Sequence, residues 1–157
     1  MPKIVALIGY PLSHSFSPAL HNAAFRKLRL DYEYVPFEVE PANLPAALAG
    51  MRALRVVGFN VTIPHKETIV PLLDEVTKLA RIIGAVNTVK NQDGRLVGFN
   101  TDGGGFADSL KEDAGFEPKN KKGVVLGAGG ASRAVSVMLA ENGVKSLVLT
   151  DVQEEKA

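Results

Sequence analysis

Four polar residues are close together in the sequence near the middle of the chain: Asn60, Thr62, His65 and Lys66. The apolar residues before them predict a strand over 56–61, which Pro64 ends because proline has no amide hydrogen for strand pairing. The apolar spacing after them predicts a helix over 67–83. Ligands bind α/β sheets where a strand passes into a helix, so this group is a candidate ligand site that contains one amine. A solvent-exposed lysine in a polar turn would have the same sequence.

A second candidate group near the N-terminus consists of Ser13 and Ser15. Residues 3–8 are apolar and predict a strand buried on both faces, and a helix is predicted over 18–28. Ser17 is predicted to cap this helix, with Pro18 at its first position. The two serines then lie between the strand and the helix, where hydroxyls and exposed backbone amides suit an anionic group such as a carboxylate. Ordinary helix capping would account for the same serines.

A third candidate group is a glycine-rich turn between a predicted strand and a predicted helix. It fits the pattern G-x-G-x-x-G/A with a small residue in the last place, and its residues are Gly127, Ala128, Gly129, Gly130, Ala131 and Ser132. Such glycines let the backbone approach a pyrophosphate at the start of the helix. A tight turn without a ligand is the alternative. Asp151 ends the following strand, where a carboxylate accepts hydrogen bonds from the adenosine ribose and favours NAD over NADP.

These groups depend on alternating strands and helices. The predicted strands are 3–8, 32–39, 56–61, 84–89, 95–100, 124–126 and 146–150. The predicted helices are 18–28, 41–51, 67–83, one from about 103 to 110 and one that ends near 142, before Gly143. Asp93-Gly94 predicts a hairpin turn. The alternation predicts an α/β fold with a mostly parallel sheet, whose strand ends would bring the candidate groups, including Asn87 and Asp102, to one edge.

The composition limits the class of function. The 157 residues include 18 basic and 17 acidic side chains, a formal net charge of +1, so no basic surface for nucleic acid is expected. With no cysteine and three scattered histidines, we expect no metal site. The N-terminal residues are too few and too strand-like for a signal peptide, and no apolar run reaches the roughly 18 residues of a membrane helix. We therefore expect a soluble, cytoplasmic protein that binds a small molecule, and neither nucleic acid nor a membrane.

Five motifs in this chain resemble the shikimate dehydrogenase family. They are GYPLSHSFSP (9–18), GFNVTIPHK (58–66), GAVNT (84–88), GFNTDG (98–103) and GAGGA (127–131). They occur in the family's order along the whole chain, although the family extends further. The resemblance implies an enzyme for the reversible NADP- or NAD-dependent reduction of 3-dehydroshikimate to shikimate, in the chorismate pathway of aromatic amino-acid biosynthesis. It also implies a three-layer α/β substrate domain over 1–103 and the start of an incomplete Rossmann-type dinucleotide-binding domain over 104–157.

The resemblance also implies a role for each matching residue. The serines of the N-terminal loop would hold the substrate carboxylate. The side chains that would bind the ring hydroxyls are Asn60, Thr62, Asn87 and Asp102. Lys66 would contact the substrate and act as the acid/base, with Asp102 as its partner, and the turn over 127–132 would hold the cofactor pyrophosphate. A free lysine has a pKa near 10.4, which burial would lower and a nearby carboxylate would raise. In either case the ammonium can polarise a ketone and donate a proton to it.

The chain departs from the family in two respects. Family members commonly carry Asn-Arg-Thr after the second strand of the cofactor domain, whereas this chain has Asp151-Val152-Gln153. We therefore expect NAD use or dual use, and a quinate/shikimate dehydrogenase that uses NAD is an alternative function. The second departure is length, because the sequence stops soon after that strand. A catalytically incomplete, shikimate-binding fragment is a further alternative, and we expect such a fragment to associate, for example as a homodimer.

Overall fold

A computed structural model of the chain describes residues 1–153 and residue 155. These residues form two compact units. The first contains Met1–Thr77 and Val86–Phe99, and the second contains Lys78–Ala85 and the described residues from Asn100 onward. The predicted division of the whole protein into domains at 103/104 stays a prediction.

The secondary structure alternates between strands and helices, as the sequence predicts. The strands are β1 (Lys3–Gly9), β2 (Tyr32–Glu38), β3 (Gly58–Val61), β4 (Glu75–Val76), β5 (Thr88–Gln92), β6 (Arg95–Phe99), β7 (Lys122–Leu126) and β8 (Ser146–Thr150). The α-helices are α1 (Ser17–Lys27), α2 (Leu44–Ala53), α3 (His65–Thr68), α4 (Lys78–Ile83), α5 (Asp102–Glu112) and α6 (Gly130–Glu141). Two single 3-10 turns are Pro41–Asn43 and Val70–Leu72.

The first unit contains a sheet in the order β2-β1-β3-β5-β6-β4. Only β5 runs against the other strands of this sheet, because the two-residue loop Asp93-Gly94 joins it to β6 as a hairpin. Asp93 and Gly94 have φ values of 52° and 92°, so the predicted hairpin turn is confirmed. The carboxyl ends of β1, β3 and β6 and the amino end of β5 therefore lie at the same edge. The predicted α/β fold with a mostly parallel sheet is confirmed.

The core of the first unit is built on the central strands. Ile8 of β1, Phe59 of β3, Val89 of β5 and Leu96 of β6 are all at most 2% exposed. Burying a side chain of this size stabilises a fold by about 1.5–3 kcal/mol relative to leaving it in water. The strand ends at the candidate site are thus held by the best-buried part of the sheet.

The prediction of one continuous helix over 67–83 is wrong. The segment instead contains the last two residues of α3, a 3-10 turn, the short strand β4 and α4. Pro71 cannot donate to a helical hydrogen bond. Asp74 N donates to Leu96 O at 3.1 Å, and its carboxylate accepts from Leu96 N at 2.6 Å, so the chain pairs with the edge of β6. Apolar spacing alone did not distinguish this pairing from a continuous helix.

Smaller differences occur at other element ends. Ser17 is the first residue of α1, not its cap, and its amide donates to Ser15 Oγ at 3.3 Å. The strand predicted over 84–89 begins only at Thr88, after a left-handed Gly84 with φ of 72°. The helix predicted over 41–51 starts as a 3-10 turn and continues as α2.

The second unit pairs β7 with β8 in parallel. Ile83, Ala85 and Ala134 form a buried cluster, with Leu79 and Val137 packed against it. The helix α6 ends before Gly143, which has a φ of 75° and accepts the left-handed conformation expected there. Within the described residues, no helix combines the length and apolar composition needed to cross a membrane.

Candidate functional site

The loop after β1 and the turn after β3 are joined by backbone hydrogen bonds. Thr62 N donates to Ile8 O at 2.9 Å, and Tyr10 N donates to Ile63 O at 3.0 Å. A β-carbon on Gly9 would lie 2.4 Å from Thr62 Cγ2, so this close approach requires glycine. The two candidate groups predicted at separate strand ends therefore meet at one edge of the first unit.

A cavity lies where these two loops meet. Its polar lining comes from Tyr10, His14, Ser15, Ser17 and Thr62, with apolar side chains around them. Ser15 is half-buried, whereas Ser13 is exposed and does not line this cavity. The cavity lies beside the first turn of α1, whose partial positive charge favours an anionic group.

Lys66 is held in the one-turn helix α3. Its carbonyl accepts a hydrogen bond from Val86 N at 2.7 Å, and the preceding amide, His65 N, donates to Thr62 O at 2.9 Å. The imidazole of His65 is fully buried, and its Nε2 lies 2.6 Å from Val39 O. The Lys66 side chain is half-buried. The turn that carries the amine is thus fixed to two neighbouring segments of the first unit.

Asn60 and Asn87 lie on adjacent strand ends and are directly connected. Asn60 Nδ2 donates to Asn87 O at 3.3 Å and to Thr88 Oγ1 at 3.1 Å. Asn87 O also accepts from Val61 N at 2.8 Å, and Asn87 is 9% exposed. The Asn60 side chain is therefore fixed against the backbone of Asn87 at the edge of the sheet.

Tyr34 belongs to this arrangement, although sequence reasoning did not identify it. Its hydroxyl donates to Asn60 Oδ1 at 2.8 Å, and the residue is 2% exposed. Burial raises the pKa of Tyr34 to about 12, so the phenol remains a proton donor at neutral pH. An aromatic residue in a strand is usual in a core. No sequence feature therefore distinguishes Tyr34 from an ordinary packing residue.

Asp102 lies in the second unit, at the first residue of α5. Its amide donates to Asn100 Oδ1 at 3.1 Å, and Gly103 N donates to the same oxygen at 3.3 Å. Asn100 Nδ2 in turn donates to Ala85 O at 3.0 Å. Asn100 therefore accepts hydrogen bonds from the first two amides of α5 and fixes the backbone of Asp102 within its own unit. A carboxylate in the first turn of a helix is also favoured by the helix dipole.

The backbone of the glycine-rich turn leaves room for a group at the start of α6. Gly127 has a φ of 99°, which a residue with a side chain adopts only with strain, and its amide donates to Thr150 O at 2.7 Å. A β-carbon on Gly129 would meet no atom within 4 Å, so the start of α6 is open beside it. The exposed amides at the start of this 12-residue helix can bind an anionic group. The residues present thus fit a dinucleotide cofactor.

Asp151 directly follows β8 and touches this turn. Its Oδ2 accepts from Ala128 N at 2.7 Å, and its Oδ1 accepts from Gln153 N at 2.9 Å. The turn and the carboxylate predicted to face the ribose are therefore adjacent. In the described part of the chain, no group of three His, Asp or Glu side chains could hold a metal ion.

Comparison with protein families identifies the chain. The model of the shikimate dehydrogenase substrate-binding domain matches residues 7–89. The chain belongs to this family. The matched region contains the serine loop, the turn with Lys66 and the Asn60–Asn87 pair. The resemblance predicted from the five motifs is therefore confirmed.

Individual members of the shikimate dehydrogenase family are also similar. A shikimate dehydrogenase (NADP(+)) from Desulforamulus reducens is 52% identical over 99% of this chain and 53% of its own length. The structure of shikimate dehydrogenase from Aquifex aeolicus is 47% identical with a TM-score of 0.92, over 99% of this chain and 57% of that one. A shikimate 5-dehydrogenase from Listeria monocytogenes, in complex with shikimate and NAD, is 41% identical with a TM-score of 0.88, over 99% and 53%. The chain spans about half the length of the relatives it matches.

Proposed function

We propose that the whole protein is a shikimate dehydrogenase, which catalyses the reversible nicotinamide-dependent reduction of 3-dehydroshikimate to shikimate. The observation that carries this proposal is the junction of the serine loop with the turn that ends in Lys66. The hydroxyl of Ser15, in a cavity beside the start of α1, suits the substrate carboxylate, and an amine on the adjoining turn suits proton transfer to a ketone. The family membership of the chain supports the same substrate.

Each predicted site residue keeps its role in this proposal. Ser13 and Ser15 bind the substrate carboxylate. The ring hydroxyls are bound by Asn60, Thr62, Asn87 and Asp102. Asp102 also acts as the partner of Lys66, a role that rests on the family resemblance. Residues 127–132 hold the cofactor pyrophosphate, and the carboxylate of Asp151 faces the adenosine ribose.

The proposed chemistry requires one proton transfer by this chain. When shikimate is oxidised, Lys66 Nζ takes the proton of the reacting hydroxyl. When the ketone is reduced, the ammonium of Lys66 donates the proton to the developing alkoxide oxygen. The nicotinamide, when bound, accepts or supplies the hydride. The hydrogen bonds of the His65–Lys66 turn fix the backbone from which the amine extends, and a fixed backbone supports this role because it lowers the cost of reaching a reactive geometry.

The cofactor is a nicotinamide dinucleotide, and its finer identity depends on Asp151. Several relatives are named as NADP(+) enzymes, which supports NADP. A carboxylate at Asp151 disfavours the 2′-phosphate of NADP by charge repulsion and favours a ribose diol. We therefore include NAD use, alone or beside NADP, in the proposal.

An activity assay of the protein in its natural full length tests this function. We expect reduced nicotinamide to accumulate when shikimate is added with NADP+ or NAD+, and the reaction to reverse with 3-dehydroshikimate. Quinate, assayed in parallel, tests the alternative of a quinate/shikimate dehydrogenase. A folded protein that binds neither compound and turns over neither would overturn the proposal. Binding of shikimate without turnover would favour the shikimate-binding alternative instead.

A further inference from the structure

Tyr34 is fixed on three sides by α1. Its amide donates to Asn22 Oδ1 at 2.8 Å, and Asn22 Nδ2 donates to Tyr34 O at 3.0 Å. The ring of His21 stacks on the phenol ring, with centroids 4.3 Å apart and planes 6° from parallel. Because the backbone amide, the backbone carbonyl and one ring face of Tyr34 are all in contact with α1, the position of its phenol oxygen is fixed.

That hydroxyl determines which way the Asn60 amide faces. Asn87 O can only accept a hydrogen bond, so the Asn60 atom 3.3 Å from it must be the nitrogen. The amide oxygen then faces Tyr34 Oη, which must donate to it at 2.8 Å. Both hydrogens of Asn60 Nδ2 are used within the protein, because the second reaches Thr88 Oγ1 at 3.1 Å. The remaining hydrogen-bonding capacity of the amide is a lone pair on Oδ1.

We propose that Tyr34 is a positioning residue for substrate binding: its hydroxyl holds the Asn60 amide so that Oδ1 accepts a hydrogen bond from a substrate hydroxyl. The inference rests on the proposed function, in which Asn60 binds the ring of shikimate. It adds a chemical restriction, because a fixed acceptor at this point selects a donor on the ligand. A ketone or an ether oxygen there would meet an oxygen and be disfavoured.

The substitution Tyr34→Phe in the full-length protein tests this role, since it removes a single hydroxyl and keeps the ring. Without the donor, Oδ1 is no longer held, so we expect KM and Kd for shikimate to rise about tenfold while kcat changes little. Tyr32→Phe is the matched control. Tyr32 lies two residues away in β2, and its ring centroid is 5.5 Å from that of Phe25. Because Tyr32 is not one of the residues that hydrogen-bond the Asn60 side chain, removal of its hydroxyl should leave KM unchanged.

A double-mutant cycle decides whether Tyr34 acts through Asn60. We expect Asn60→Ala to raise KM, and Tyr34→Phe to add no further increase in that background. An additive increase would overturn the inference. So would an unchanged KM for Tyr34→Phe, even if its unfolding midpoint fell, because that result would leave only a structural role. A wild-type protein that does not bind shikimate would instead overturn the proposed function, and the wild-type titration separates the two failures.

Discussion

Lys66 is the residue on which the proposed proton transfer depends. We predict that Lys66→Ala lowers kcat for shikimate oxidation by about 10²–10⁴-fold, the usual contribution of a general acid or base. The change should leave Kd for shikimate nearly unaltered, because the hydroxyl and amide groups that we propose bind the ring remain. Steady-state kinetics and calorimetric titration of the full-length protein measure the two quantities.

Lys90→Ala is a suitable control for this prediction. Lys90 is an exposed lysine on β5 of the same unit, so its removal changes the net charge by the same amount without touching the turn after β3. Near-full turnover by Lys66→Ala would contradict the assigned role. A comparable loss in both variants would point to charge rather than to proton transfer.

His65 shows how a residue beside a reactive group can serve the fold. It is fully buried, and its Nε2–H donates to Val39 O at 2.6 Å, while its Nδ1 makes no hydrogen bond with any described residue. We predict that His65→Leu lowers the free energy of unfolding by about 1–3 kcal/mol, because Val39 O loses its buried donor. His65→Gln, which retains an N–H in a similar place, should recover part of the loss in denaturant titration. Equal losses in the two variants would contradict the hydrogen-bond explanation.

The sequence predicted most of the candidate binding residues but not their connections. Polar residues at strand ends indicated Asn60, Thr62 and Lys66. The bond between Tyr34 and Asn60 was not predictable, because the residues lie on β2 and β3 and these strands are separated in the sheet by β1. Only the register of three strands brings them together, and strand register is not encoded in either segment alone.

At the scale of elements, strand ends were predicted better than the connection after α3. The buried strand β1 and the hairpin of β5 and β6 follow from local patterns and from one Asp-Gly pair. The segment after α3 depends on Asp74, whose partners lie far away in sequence. Asp74 bonds to Arg52 in α2 as well as to β6, and these contacts hold the segment as an edge strand.

The same carboxylate gives the first unit a predictable pH dependence. The hydrogen bond from Arg52, then that from Leu96 N, lowers the pKa of Asp74 below its ordinary value of 3.8. Because the folded-state pKa is depressed, the contribution to stability is present above the unfolded value and is lost as the pH falls through the folded value. We predict that the unfolding midpoint decreases on acidification below about pH 4. The midpoint of the Asp74→Asn variant should decrease less steeply over the same pH range.

Asp31→Asn provides the comparison for the acid-unfolding experiment. Asp31 is an exposed carboxylate of the same unit, so its substitution should leave the slope of the unfolding midpoint against pH unchanged. Parallel slopes for wild type and Asp74→Asn would show that the ion pair with Arg52 does not contribute. Thermal unfolding followed by circular dichroism at several pH values measures these slopes.

At the scale of the whole molecule, the proposed cofactor preference depends on the carboxylate of Asp151, which the glycine-rich turn holds by a hydrogen bond. The hydrogen bond from Ala128 N keeps Asp151 beside the glycine-rich turn. A fixed negative charge there opposes a 2′-phosphate, whereas a ribose diol can donate to it. The known relatives illustrate both cofactors, since shikimate dehydrogenases are named with NADP(+) and the Listeria structure contains NAD.

We predict that Asp151→Asn shifts the ratio of kcat/KM for NADP over NAD upward by about tenfold in the full-length protein, because it removes one charge at close range. The asparagine oxygen can still accept from Ala128 N, so the turn should keep its shape and kcat with NAD should persist. Asp108→Asn, an exposed position on α5, should leave the ratio unchanged. If the wild-type protein strongly prefers NADP and the ratio is insensitive to Asp151→Asn, the carboxylate does not face the ribose. Cofactor selection would then lie with residues other than Asp151.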